Sequence, residues 1–152
     1  MDDALNNVET IVKNFIAADT DIAALAPTIH EKIKSNIRNY MDHELPAIAV
    51  HCTGYLEHEG DRHMALAGVF IEIINSGADL SAVDTTVKQI LSLVYKKLRD
   101  ESPHMERGGR GINDELDDII VREGPVIPWD PEEEDELFLV SGSINAEVYF
   151  VE

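Results

Sequence analysis

The sequence predicts an α+β fold, a four-stranded, mostly antiparallel sheet packed by helices. Three observations carry this reading. Residues 2–18 and 83–99 set apolar side chains at the three-and-four spacing of a helix. Residues 47–55, 63–75 and 137–151 alternate apolar and other residues with the period of two that a strand requires. The order runs helices, two strands, one amphipathic helix, two strands, so the helices can pack on one face of the sheet.

In residues 2–18, Leu5, Val8, Val12, Phe15 and Ile16 line one helical face, and Asp2 and Asp3 suit the positive end of the dipole. Asp19, Thr20 and Asp21 break the pattern and offer caps for a new turn near Ile22. A short helix is expected over 21–25. A second is expected to start at Pro27, which a first turn tolerates. Ile29, Ile33 and Ile37 form its stripe and Tyr40 continues it; it should end before Leu45 and Pro46.

Residues 47–55 read as a strand, with Ile48, Val50 and Cys52 on one face and Ala49, His51 and Thr53 on the other. LEHEGD, 56–61, is a polar turn. The longer strand 63–75 puts Val69, Ile71 and Ile73 on one face and Met64, Leu66 and Phe70 on the other. Two apolar faces imply cover on both sides, by helices or by another subunit. The short connection predicts an antiparallel hairpin.

Residues 75–79 make a turn, and 83–99 is the clearest helix. Its stripe is Val87, Ile90, Leu91, Val94, Tyr95 and Leu98, with Asp84 in the first turn and Lys96, Lys97 and Arg99 in the last. Residues 100–113 contain Pro103, Gly108, Gly109 and Gly111 and predict a long mobile loop. Residues 116–122 read as a strand centred on Ile119, Ile120 and Val121. The stretch 124–136 reads as an irregular acidic segment: Trp129 lies between prolines, and Glu132, Glu133, Glu134, Asp135 and Glu136 follow. The closing strand 137–151 alternates Ile144, Ala146, Val148 and Phe150, with a bend or bulge expected at Ser141, Gly142 and Ser143. There is no internal repeat.

A length of 152 residues favours one domain over 1–152. Such a chain removes roughly 70% of its extended surface from water, enough for a core without disulfides or metal. Thirty Asp and Glu against twelve Lys and Arg give a formal charge of −18. That charge repels phosphates, which disfavours general DNA or RNA binding. It also repels copies of the chain, so any self-assembly needs apolar contact and gains from salt. The single Cys52 allows no intrachain disulfide and fits a reducing cytoplasm. The acidic start, MDDALNNVET, lacks the order of a secretory leader. No apolar run approaches the ~20 residues of a membrane span; the best, Met64 to Ile74, is broken by Gly68 and Glu72.

No motif reaches catalytic specificity. His58, Glu59, Asp61 and His63 cluster at the first hairpin turn, but the five-residue histidine spacing is not that of a zinc protease. Cys52 adjoins His51, yet neighbours on a strand point to opposite faces, so a buried structural cysteine is expected. RGGRG at 107–111 has no Gly-Lys-Ser/Thr after it and fails the phosphate-loop pattern; it reads as an arm whose Arg107 and Arg110 dock on an acidic surface. The run Glu132 to Glu136 lacks the turn glycine of a calcium loop and reads as a solvated acidic face. No cofactor, metal or catalytic residue is expected.

Several segments in order carry a family resemblance. A first helix runs into FIAADTDIAALAP, followed by HELPAIAVHCTGYLEHEGDRHMALAGVFIEIINSGAD, then VDTTVKQILSLVYKKLRDE, and finally INAEVYFVE. This layout resembles the tail-terminator (tail-completion, head–tail joining) proteins of long-tailed bacteriophages. The resemblance implies a ring-forming subunit, usually a hexamer, that caps the finished tail tube and later meets the head–tail connector. It implies a structural virion protein at the head–tail junction, made in the host cytoplasm, through which DNA passes without specific binding. It implies no enzyme and no membrane association. Subunit or partner contacts would then fall on the strand 63–75 and the loop 100–113. Candidates are Arg62, Met64, Leu66, Phe70, Arg107 and Arg110. Segment 124–136 lies outside the family pattern. Trp129 is a further candidate contact there, and Glu132, Glu133, Glu134, Asp135 and Glu136 would line an acidic lumen or surface. Two alternatives stand beside the ring. One is an acidic regulatory or inhibitory module that mimics nucleic acid and occupies a basic site. The other is an enzyme with a metal held by His58 and His63.

Overall fold

The computed structural model describes residues 4–30, 44–57, 64–101, 116–127, 132–134 and 136–151. The fold is α+β, with three helices on one face of a mixed sheet. Helix α1 spans Ala4–Ala17 and buries Val8, Val12 and Ile16, the i, i+4, i+8 row that a helix aligns. Leu5, expected in that row, is 38% exposed in the first turn. Helix α2, Thr20–Leu25, is capped by Asp19, whose Oδ1 accepts from the Asp21 and Ile22 amides at 2.9 and 3.1 Å.

The expected helix from Pro27 does not start there. Thr28–His30 is instead strand β1, paired in parallel with Ala47–Ala49. Thr28 and Ile29 are β-branched, which favours extended backbone, and the ladder satisfies their polar groups. Ile33, Ile37 and Tyr40 lie outside the described residues.

Strand β2, Ala47–Glu57, and strand β3, Met64–Gly77, form the expected antiparallel hairpin. Helix α3, Leu80–Glu101, begins three residues before the expected start. There Asp79 Oδ1 accepts from the Ala82 amide at 3.3 Å. Strand β4 covers Leu116–Val126, β5 covers Glu132–Glu134, and β6 covers Leu137–Val151. The sheet order is β1-β2-β3-β6-β4, with β5 on the free end of β6. The β3–β6 ladder is the backbone of the fold, continuous from Met64 opposite Val151 to Gly77 opposite Phe138.

Two parts of segment 124–136, expected irregular, are ordered. Gly124 to Val126 belong to β4, and Glu132–Glu134 pair with Leu137–Leu139 across a two-residue turn. Glu136, next to the start of β6, has φ 64°, the left-handed region that a residue other than glycine seldom adopts.

One core joins the helices to the sheet. Val69, Ile71 and Ile73 of β3 meet Ile48 and Val50 of β2, Ile144 and Val148 of β6, and Val87, Ile90, Leu91, Val94 and Leu98 of α3. Burying each large side chain contributes about 1.5–3 kcal/mol. The exposed Lys88–Asp84 pair on α3, at 2.7 Å, contributes about 0.5 kcal/mol or less. The core therefore decides stability. Gly142 permits the close seating of α3: a Cβ there would lie 2.4 Å from Leu91 Cδ1 and 3.1 Å from Ile127 Cγ1. On the other side of the helix layer, Lys97 Nζ sits 4.7 Å from the Phe15 ring centre and ties α3 to α1.

Candidate assembly surface

Strand alternation gives the sheet a second face, and no described helix covers it. From the register, Leu66, Phe70, Glu72 and Ile74 of β3 share it with Ala47 and Ala49 of β2 and with Ser141, Ser143, Asn145, Glu147 and Tyr149 of β6. Its two ends differ. Near the start of β2, Ala47 and Ile74 are buried under Leu45 and Leu139 in a small separate cluster. Toward the hairpin end, Leu66, Phe70 and Tyr149 remain only half-buried, with Leu66 directly opposite Tyr149.

Glu72 lies between these ends, opposite Ala49 and Ser143. Burial pushes its carboxyl above the ordinary range, and burial is the only cause. A carboxylate here is thus partly stripped of water, with no cation among the described residues to offset the loss.

The edges of the sheet are blunted. On the β2 side, β1 pairs only as far as Ala49. Beyond it, a bulge between Cys52 and Gly54 breaks the ladder, and Gly54 takes φ +154°, a conformation that glycine adopts freely. Thr53, the extra residue, donates from Oγ1 to the Gly68 carbonyl at 3.2 Å. The Cys52 amide donates to Glu9 Oε1 of α1 at 3.1 Å, in a buried contact. His51 Nδ1 lies 3.4 Å from the same oxygen. On the far side, β4 carries three register shifts, at 116/118, 121/123 and 123/126. Bulges and irregular registers are common devices against edge-to-edge pairing.

The chemistry of Cys52 follows from its setting. Burial pushes the thiol up, a hydrogen bond with the Gly54 backbone lowers it, and the Glu9 carboxylate adds to the rise. The net shift is upward, so the sulfur stays a thiol and is a poor nucleophile. His51 faces solvent while Cys52 is buried, as alternation predicts. Among the described residues, no group of three or more His, Cys, Asp or Glu could hold a metal ion. No helix among them is long and apolar enough to cross a membrane.

Of the residues singled out from sequence, Leu66 and Phe70 share the face that no described helix covers. Met64 begins β3, and Glu132, Glu133 and Glu134 form β5. Glu133 and Glu136 are exposed, so the acidic run presents charge beside Leu137, which is also exposed. Arg62, Arg107, Arg110, Trp129 and Asp135 lie outside the described residues, as do His58, Glu59, Asp61 and His63.

Two residues were not anticipated. Glu9 is 5% exposed in α1. The signal was its spacing of three from Val12 and seven from Ile16, which puts a carboxylate at the border of the apolar stripe. Glu72 was visible as an acid inside an apolar strand, two residues from Phe70. No protein-family model matches the chain, and no curated protein matches it significantly.

Proposed function

We propose that this chain is a non-catalytic structural subunit. It assembles through the uncovered face of its sheet into a ring, a hexamer by resemblance, that caps a bacteriophage tail tube. Capping ends tube polymerisation and offers the surface that the head–tail connector meets. The observation that carries this reading is the half-buried Leu66, Phe70 and Tyr149 on a face without helix cover among the described residues. Apolar side chains left partly in water favour association with a partner surface. The blunted edges at the Cys52 bulge and along β4 favour the face over the edges as the route of assembly. The charge of −18 suits a conduit from which DNA phosphates are repelled, and it requires the apolar contact to outweigh subunit repulsion.

The ordered segments quoted above support the tail-terminator identity and the virion location at the head–tail junction. Mass determination by light scattering at moderate salt, with electron microscopy, tests the ring: a discrete oligomer with a central hole is expected. Adding the protein to growing tail tubes should stop their extension. A strict monomer, both alone and with tubes, would sink the reading.

A second reading has its own support in Glu133 and Glu136, exposed around a tight hairpin. There the acidic run occupies a basic site on a DNA-processing protein. Pull-down with such an enzyme at low salt separates the two; no binding counts against mimicry.

A further inference from the structure

We propose that Glu9 is an edge guard: its carboxylate holds the Cys52 amide and keeps the outer edge of β2 from pairing with the same edge of a second copy. Strand β2 continues to Glu57, eight residues beyond the last position that β1 covers. Among the described residues no strand covers that stretch, and an uncovered edge of that length is a template for another strand. The Cys52 N–H, just before the bulge, meets no strand among the described residues. It donates to Glu9 Oε1 at 3.1 Å, across a sequence separation of 43 residues. A buried carboxylate is costly unless hydrogen-bonded, and this one brings helix α1 against the strand edge where a partner strand would lie. Val8 and Val12, on either side of it along the helix, are buried in the core.

The competing strand is a second β2, not β4. The β4–β6 ladder carries three register shifts, which bend β4, whereas the β2–β3 ladder carries one. Pairing two β2 edges is self-complementary and closes as a two-fold dimer. This contact is separate from the uncovered face, so the guard stands whether or not the ring forms. With the guard in place, association is confined to the face; without it, a second and competing mode opens.

The test compares Glu9→Ala, Glu9→Asp and Glu9→Gln with the wild type by light scattering over a hundredfold range of concentration. Glutamine keeps an acceptor at the same reach and should match the wild-type mass throughout. Alanine removes the acceptor and should add a concentration-dependent doubling of whatever mass the wild type shows. Hydrogen exchange should then slow across residues 50–57 as concentration rises. Aspartate, one methylene shorter, should behave as alanine does, and it carries the test if the alanine variant fails to fold. A folded Ala or Asp variant with wild-type mass at every concentration would overturn the proposal, leaving Glu9 a partner for an otherwise orphaned amide and nothing more.

Discussion

On one side of β3, Val69, Ile71 and Ile73 are shut inside a core built by α1, α2 and α3. One residue along the same strand, Leu66, Phe70 and Glu72 turn to the other side and keep part of their surface in water. Both rows come from the same fourteen-residue strand, and both contain large apolar residues. The difference teaches that apolar alternation on a strand does not by itself tell which row the chain's own helices cover. A strand with one apolar row needs one cover. This strand has two rows and, among the described residues, helices for only one.

Breaking the covered row should have the largest effect. Ile71→Ala removes a fully buried side chain and leaves a cavity, for an expected loss of about 2–5 kcal/mol in urea unfolding. Gly142→Ala tests the same face from β6. Its Cβ would drive into Leu91, so α3 must shift or Leu91 must change rotamer, costing about 1–3 kcal/mol. Phe70→Ser sharpens the contrast, because it should change stability by no more than about 1 kcal/mol while abolishing self-association. A loss as large as that of Ile71→Ala would show that the second row is covered after all. Glu136→Gly relaxes a left-handed residue in the β5–β6 turn. It should stabilise by about 0.5–1 kcal/mol in the same assay, once the greater freedom of glycine in the unfolded chain is set against the relief.

The smallest effect comes from Glu72, which is only partly buried and so partly screened by solvent. Its folded carboxyl titrates above its unfolded one. The fold therefore tolerates it best when protonated, and stability falls as pH rises through the folded value. Glu72→Gln should melt slightly above the wild type near neutral pH. The gap should close as pH drops below 4.5, the ordinary carboxyl value, where both side chains are neutral. Equal melting at neutral pH would show that the uncovered face does not strip Glu72 of water.

Most of the fold was legible from the sequence. Val8, Val12 and Ile16, and the α3 stripe from Val87 to Leu98, follow helical spacing so closely that their burial could be read directly. The β2–β3 hairpin and the long last strand were legible from alternation. The start of the presumed second helix was not, because Ile29, Ile33 and Ile37 fit a helical stripe while only tertiary pairing with Ala47–Ala49 makes Thr28–His30 a strand. The acidic hairpin was hidden for a similar reason. Glutamates disfavour strands by propensity, and Glu132–Glu134 are extended because Leu137–Leu139 of β6 provide a ladder. Of the proposed assembly surface, Leu66 and Phe70 were legible from their parity. The guarding role proposed for Glu9 was not, since it depends on the Cys52 amide 43 residues away.

The central claim is that the row holding Leu66 and Phe70 is the assembly surface. Light scattering of wild type and Phe70→Ser, side by side at moderate salt, tests it most directly. The account predicts a single closed oligomer for the wild type, and a monomer of nearly unchanged unfolding free energy for the variant. A variant that assembles as the wild type does, or a wild type that stays monomeric even with tail tubes present, would contradict it.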